Sequence, residues 1–214
     1  LVVMLTGVFL LAACQKEITP APTESPEPQT LRVMTHDSFA VSENLIAEFE
    51  SKTNVKISFL PAGDTGAMLN QAILTKNTPL ADVLYGVDNT FLSRALEEGI
   101  YEPYDSPSLA GIPQEFKLDA KNRVLPVDYS DVCINYDKAY FIEKGLDVPR
   151  SLEDLTLPQY KGLLAVENAA TSSPGLAFLM ATIAEYGDPG YLEYWQRLKE
   201  NGLVVVNDWE TAYY

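Results

Sequence analysis

From residue 31 onward, short apolar runs alternate with longer stretches whose apolar residues recur every three or four positions. Solid or alternating apolar runs of about four to eight residues read as strands, and a three-to-four period over a longer window reads as an amphipathic helix. On that basis residues 31–34, 55–60 and 82–86 are strands. Residues 38–53 are a helix with Phe39, Leu45, Ile46 and Phe49 on one side, and 67–76 and 89–98 are two more, the last stopped by Gly99. This strand–helix order predicts an open, mainly parallel sheet with helices on both faces.

The second half repeats the alternation after an irregular polar stretch, 101–122. Residues 123–129 and 132–136 have extended character and read as a strand pair crossing into a second lobe, with Cys133 buried in its apolar run. Helices are expected over 138–144, 152–155, 176–186 and 189–201, and strands over 163–166 and 203–206. Asn207 and Glu210 have capping-box spacing for one more helix.

One stretch organises that half: Asn168-Ala169-Ala170-Thr171-Ser172-Ser173-Pro174-Gly175-Leu176. A strand leads in and a helix leads out. Ser173 suits the N-cap and Pro174 the first helical position, where no N–H is needed. Gly175 brings no side chain to crowd an approaching group. Two readings stay open: an ordinary cap with spare hydroxyls, or a seat for a phosphate, carboxylate or polar ring edge on the free N–H groups.

Ligands of open parallel sheets bind beyond the carboxyl ends of the strands. In the first half those ends read Thr35-His36-Asp37-Ser38, Gly63-Asp64-Thr65-Gly66 and Gly86-Val87-Asp88-Asn89. Asp37, Asp64 and Asp88 are therefore expected on one rim suited to a cation, although Ser38, Asp64 and Asp88 also stand where helix caps belong.

The start of the chain differs. Residues 1–13 are apolar, too short to span a bilayer, and end Leu11-Ala12-Ala13-Cys14. The string resembles a bacterial lipobox, so 1–14 reads as a lipoprotein signal peptide with Cys14 lipidated. Residues 15–30, with Pro20, Pro22, Pro26 and Pro28 among Thr, Ser and Glu, read as a disordered tether. The folded part is then expected outside the cytoplasmic membrane, anchored by lipid to the cell surface or in the periplasm. No initiator Met is present and the chain stops at Tyr213-Tyr214 as a helix begins, which reads as truncation at both ends.

Charge narrows the partners. With 15 Lys+Arg against 30 Asp+Glu, the net charge of −15 repels phosphate backbones and argues against nucleic acid. It favours cationic small ligands. One His, and no HExxH or paired-Cys spacing, argue against a zinc site. G-x-S-x-G, the phosphate-binding loop and G-x-G-x-x-G are absent, so no enzyme, no catalytic residue and no cofactor is expected. A tethered, two-lobed, acidic chain of this kind reads as a solute-binding protein.

Five strings in order carry a closer likeness: His36-Asp37-Ser38-Phe39, Ala81-Asp82-Val83-Leu84-Tyr85-Gly86-Val87-Asp88-Asn89, Pro126-Val127-Asp128-Tyr129, Thr171 through Leu176, and Trp209-Glu210-Thr211-Ala212-Tyr213. As a set they resemble the thiamine-binding subunits of bacterial ABC importers. The resemblance implies a type II periplasmic-binding-protein fold, α/β in class, with two α/β lobes of mainly parallel sheet around a cleft. The first lobe would span 31–128 and the second 129–214, the latter incomplete. It implies thiamine or its mono- or diphosphate as transported ligand, an ABC permease as partner, and a monomer. Carried across by motif, ligand contacts fall on Asp64, Thr65, Ser172, Ser173 and Trp209. His36, Asp37, Asp88 and Tyr213 join them from the rim and the matching strings. The sequence departs from the family pattern at His36, where members often carry Tyr, and at Asp64-Thr65, where they carry Asp-Gly. Two alternatives share the superfamily: a ferric-ion-binding protein using His36 and the Tyr213-Tyr214 pair, and a polyamine-binding protein using the acidic rim.

Overall fold

In the computed structural model, which describes residues 29–214, two separate parallel sheets carry the chain. The first has strand order β2-β1-β3, built from β1 (Gln29–Thr35), β2 (Val55–Pro61) and β3 (Val83–Tyr85). β1 is central, with Val33 opposite both Phe59 and Val83. Helix α1 (Glu43–Thr53) links β1 to β2, α2 (Thr65–Leu74) links β2 to β3, and α3 (Leu92–Glu97) follows. Asn54, in the left-handed region at φ 55°, ends α1 and returns its N–H to Glu50 O, so β2 starts at the next residue. The core of this lobe is Leu69, Phe91 and Ala95, with Leu84, Val87 and Tyr101 packed around it.

The second sheet pairs β4 (Ala165–Glu167) with β5 (Val204–Val206). Helices α5 (Ser173–Tyr186) and α6 (Gly190–Glu200) lie between them in sequence, and α4 (Lys138–Lys144) and α7 (Trp209–Tyr213) flank the unit. Its core is Leu155, Tyr194 and Leu198, joined by Leu152, Leu164, Phe178 and Trp195. Each such side chain, fully buried, stabilises by about 1.5–3 kcal/mol. The polar tips are satisfied: Tyr194 Oη donates to Leu152 O at 2.7 Å and Trp195 Nε1 to Thr182 Oγ1 at 2.9 Å.

Several expectations need correction. β1 begins at Gln29, because Gln29 and Thr30 pair with Val55 and Lys56 and so belong to the sheet rather than a tether. α1 begins at Glu43, not at residue 38: Phe39 instead packs on Phe59 and Tyr85, at ring centroid distances of 5.3 and 4.9 Å. The expected strands 123–129 and 132–136 do not form. A β-rich run becomes a strand only with a neighbour to bond, and here Val127, Tyr129, Val132 and Ile134 are exposed with no paired strand. Cys133 is accordingly exposed rather than buried. Residues 152–155 give a 3-10 turn, Glu153–Thr156, rather than an α-helix. The signal peptide, Cys14 and the tether up to residue 28 lie outside the described residues. No described helix is long and apolar enough to cross a membrane.

Candidate functional site

The two lobes meet where the start of α2 faces the loop between β4 and α5. Gly66 N and Ala67 N both donate to Thr171 O, at 2.9 and 3.3 Å. These are the second and third N–H groups of α2, the ones an N-cap side chain ordinarily takes. The first lobe's helix is thus capped by a carbonyl of the second. Asp64, its N-cap residue, is left with the first N–H: Oδ1 accepts from Thr65 N at 2.7 Å, while Oδ2 is buried without a hydrogen-bond partner. Gly66 permits this approach, since a Cβ there would lie 2.8 Å from Ala170 O and 3.0 Å from Thr171 C. Leu176 crosses the seam to pack on the Leu69–Phe91–Ala95 core.

On the other side, β4 ends in Glu167, which is 8% exposed. Ser172 is fully buried, and its hydroxyl donates to Glu167 Oε2. Ser172, not Ser173, is therefore the N-cap residue of α5, Pro174 takes the second helical position, and no side chain caps the helix. Among the described residues the N–H groups of Ser173 and Gly175 find no acceptor, and the Ser173 hydroxyl is buried without a partner. Gly175 is required by the chain itself. A Cβ there would lie 2.3 Å from Glu167 O, so what approaches the glycine is the strand that feeds the helix.

The seam is acidic. Burial is the main influence pushing the Glu167 carboxyl above the ordinary glutamate value; the Ser172 hydroxyl opposes it, and the charges of Asp64 and Asp208 add to it. Asp208 itself is held low by the Thr211 N–H it caps at the start of α7, in place of the expected Asn207 cap. One residue on, Trp209 stacks on Tyr213 with ring centroids 4.7 Å apart and planes 14° from parallel. The arrangement offers acceptors and aromatic faces to a cation, and a few unused N–H and hydroxyl donors to a polar end group.

Of the residues expected to act, Asp64, Thr65, Ser172 and Ser173 come together at this seam. Thr65 is buried, and its hydroxyl is used on Gly86 O at 3.0 Å. Asp37 and Asp88 close turns of the first lobe, accepting from Gly63 N at 2.8 Å and from the Thr90 hydroxyl at 2.7 Å. His36 lies beside Phe39 and Tyr85, with Nδ1 2.9 Å from Ser38 Oγ. Near it, Tyr85 Oη donates to Asp128 at 2.5 Å, and burial together with that carboxylate pushes the phenol up to about 12. Trp209 is half-buried and Tyr213 exposed. Among the described residues no three His, Cys, Asp or Glu side chains gather in a metal-holding group. Sequence reasoning missed Glu167. Its signal was present: an acid closing an apolar strand directly before the organising loop.

Comparison with known proteins places this geometry. Residues 78–210, more than half of the chain, match the family described as bacterial extracellular solute-binding protein. The thiamine-binding periplasmic protein of Brucella suis is 29% identical over 191 residues, covering 86% of this chain and 54% of that protein. A solved structure titled periplasmic thiamin binding protein superposes with a TM-score of 0.67 at 25% identity, covering 90% of this chain and 59% of that one. The periplasmic binding protein P5PA gives 0.70 at 22% identity, covering 86% and 59%. The chain spans about half the length of the curated relatives it matches. Its two parallel α/β units have the type II periplasmic-binding-protein fold. The chain belongs to the bacterial extracellular solute-binding protein family.

Proposed function

We propose that this chain is part of a solute-binding protein that captures thiamine and passes it to an ABC importer. The observation that carries the reading is the seam itself. The start of α2 meets the loop after β4, Glu167 there feels the charges of Asp64 and Asp208, and the Trp209–Tyr213 stack follows Asp208 directly in α7. Thiamine carries a thiazolium cation, which acids and aromatic faces attract, and an aminopyrimidine edge that pairs with a carboxylate and an N–H. Curated relatives bearing a thiamine-binding name support the same ligand. The reading is one of binding rather than catalysis, supported by the family that the chain matches. Lipidation at Cys14, a tether and an extracytoplasmic place belong to this proposal on the strength of the lipobox-like string.

We also infer an order among the thiamine forms. The start of α5 offers donors that suit an anion, yet the acids beside it repel one. Free thiamine is therefore expected to bind more tightly than thiamine monophosphate, by about tenfold, equivalent to about 1.4 kcal/mol. Isothermal titration with thiamine, its monophosphate and spermidine tests this. Tighter binding of spermidine than of thiamine overturns the ligand, and a charge-transfer colour on adding ferric ion, with no thiamine heat, favours the iron-binding alternative.

A further inference from the structure

We propose that Asp64 and Glu167 form a proton-dependent latch between the two lobes, holding each other when one proton lies between them and repelling each other when both are ionised. The two carboxyls come from opposite lobes, Asp64 from the start of α2 and Glu167 from the end of β4, and one loop brings them together: Thr171 O accepts from Gly66 N and Ala67 N just after Asp64, and Ser172, next in the chain, donates to Glu167. Both are poor in other partners. Asp64 Oδ2 is buried with no donor, and Glu167 receives only the Ser172 hydroxyl. Two carboxylates cannot satisfy each other, since both only accept; one proton converts the pair into a donor and an acceptor. Beside the pair run the two bonds from Gly66 and Ala67 to Thr171 O, so whatever separates the carboxyls strains the only backbone bonds across this contact among the described residues.

Among the described residues no cation acts on Glu167. β4 packs against α5, β5 and α7. The start of α5 presents Ser172 and Ser173, β5 is Val204–Val206, and α7 contributes Asp208 at its cap and Glu210 in its first turn. From the first lobe comes Asp64. The charges acting on Glu167 are those of Asp64 and Asp208, and both favour the protonated form. A carboxyl whose folded value is raised contributes stability that is fully present below the ordinary value and lost as pH rises through the folded one. The latch is therefore closed in acid and loosened toward neutrality. It goes beyond the ligand assignment, because it holds whichever solute enters the seam.

The test is hydrogen exchange at the Gly66 and Ala67 amides, expressed as protection against the intrinsic rate, on this chain without ligand at pH 5 and pH 7.5. Protection should fall by about tenfold or more between the two, while amides in the middle of β1 keep theirs. Glu167→Gln keeps an acceptor for Ser172 and gives Asp64 a permanent donor, so its protection should stay high at both pH values. Asp64→Asn is the second arm, expected to behave alike, and it decides the matter should Glu167→Gln fail to fold. Both variants retain His36, the sole histidine. Unchanged wild-type protection between pH 5 and 7.5, or variants that follow the wild-type fall, overturns the latch. A parallel titration in which thiamine does not bind overturns the ligand reading alone and leaves this result standing.

Discussion

The starts of α2 and α5 are built from similar materials and do different work. Each follows a parallel strand, and each gathers an acid and hydroxyls around free N–H groups. At α2 those N–H groups are taken by Thr171 O from the other lobe, the Thr65 hydroxyl by Gly86 O, and the helix start is closed. At α5 the N-cap hydroxyl turns back to Glu167, leaving Ser173 and the first-turn donors unused. The lesson is that a capping residue type identifies a helix start without saying what its side chain does. Side-chain direction decides that: the Ser172 hydroxyl points back to donate to the buried Glu167 carboxyl, and no side chain is left to accept from the first-turn N–H groups.

Four substitutions sharpen the contrast. The largest effect is expected from Gly175→Ala, which forces a methyl to within 2.3 Å of Glu167 O. Backbone on both sides cannot yield cheaply, so a loss of about 3 kcal/mol or more is expected in urea unfolding. A loss under about 1 kcal/mol would show that the α5 start is looser than the geometry implies.

Ser172→Ala comes next. It strips the buried Glu167 of its donor, at an expected cost of about 1–3 kcal/mol. Because the hydroxyl stabilises the ionised carboxyl, the cost should grow as pH rises through the raised folded value of Glu167, so melts at pH 5 and 7.5 should diverge from wild type unequally. Equal losses at both would mean that the hydroxyl serves packing only.

Asp64→Ala is expected to be milder, about 0.5–1 kcal/mol, smaller than a usual cap deletion. The second and third N–H groups of α2 are held by Thr171 O, and removing Asp64 also relieves Glu167 of a like charge. A loss above about 2 kcal/mol would make the side chain, not the other lobe, the real cap.

Ser173→Ala should be smallest in stability, within about 0.5 kcal/mol of wild type and of either sign, since its hydroxyl has no partner to lose. Its effect belongs in the titration: an affinity loss of about 0.5–1.5 kcal/mol for thiamine is expected if the hydroxyl meets the ligand. An unchanged affinity would remove Ser173 from the site and leave the open helix start without a role in binding.

Much of the first lobe was legible because period and punctuation agree there. Apolar runs, Asn54, Gly99 and the Asp64 cap each fall where a local rule puts them, and local rules act on neighbours in sequence. Strings such as Thr171 through Leu176 marked the second lobe's loop for the same reason. What the local pattern misjudged depended on distant partners. The apolar content of 123–136 suggested strands, yet a strand needs a neighbour, and none of the described segments pairs with it. Phe39 had the spacing of a helix face and went to an aromatic contact with Phe59 and Tyr85.

The site divides along the same line. Sequence by itself determined the acidic balance, the alternating α/β order, the loop that carries Ser172 and Ser173, and the strings that mark the family, since these are properties of composition and of short segments. Only the tertiary structure decided that Thr171 O caps α2, that Ser172 serves Glu167, that Gly175 makes room for its own strand, and that Asp64 Oδ2 is buried at the contact between the lobes. Each of those contacts joins groups apart in the chain or set by how one element lands on another. Hydrogen bonds and buried charges are settled by distances of a few tenths of an ångström, which no periodicity encodes.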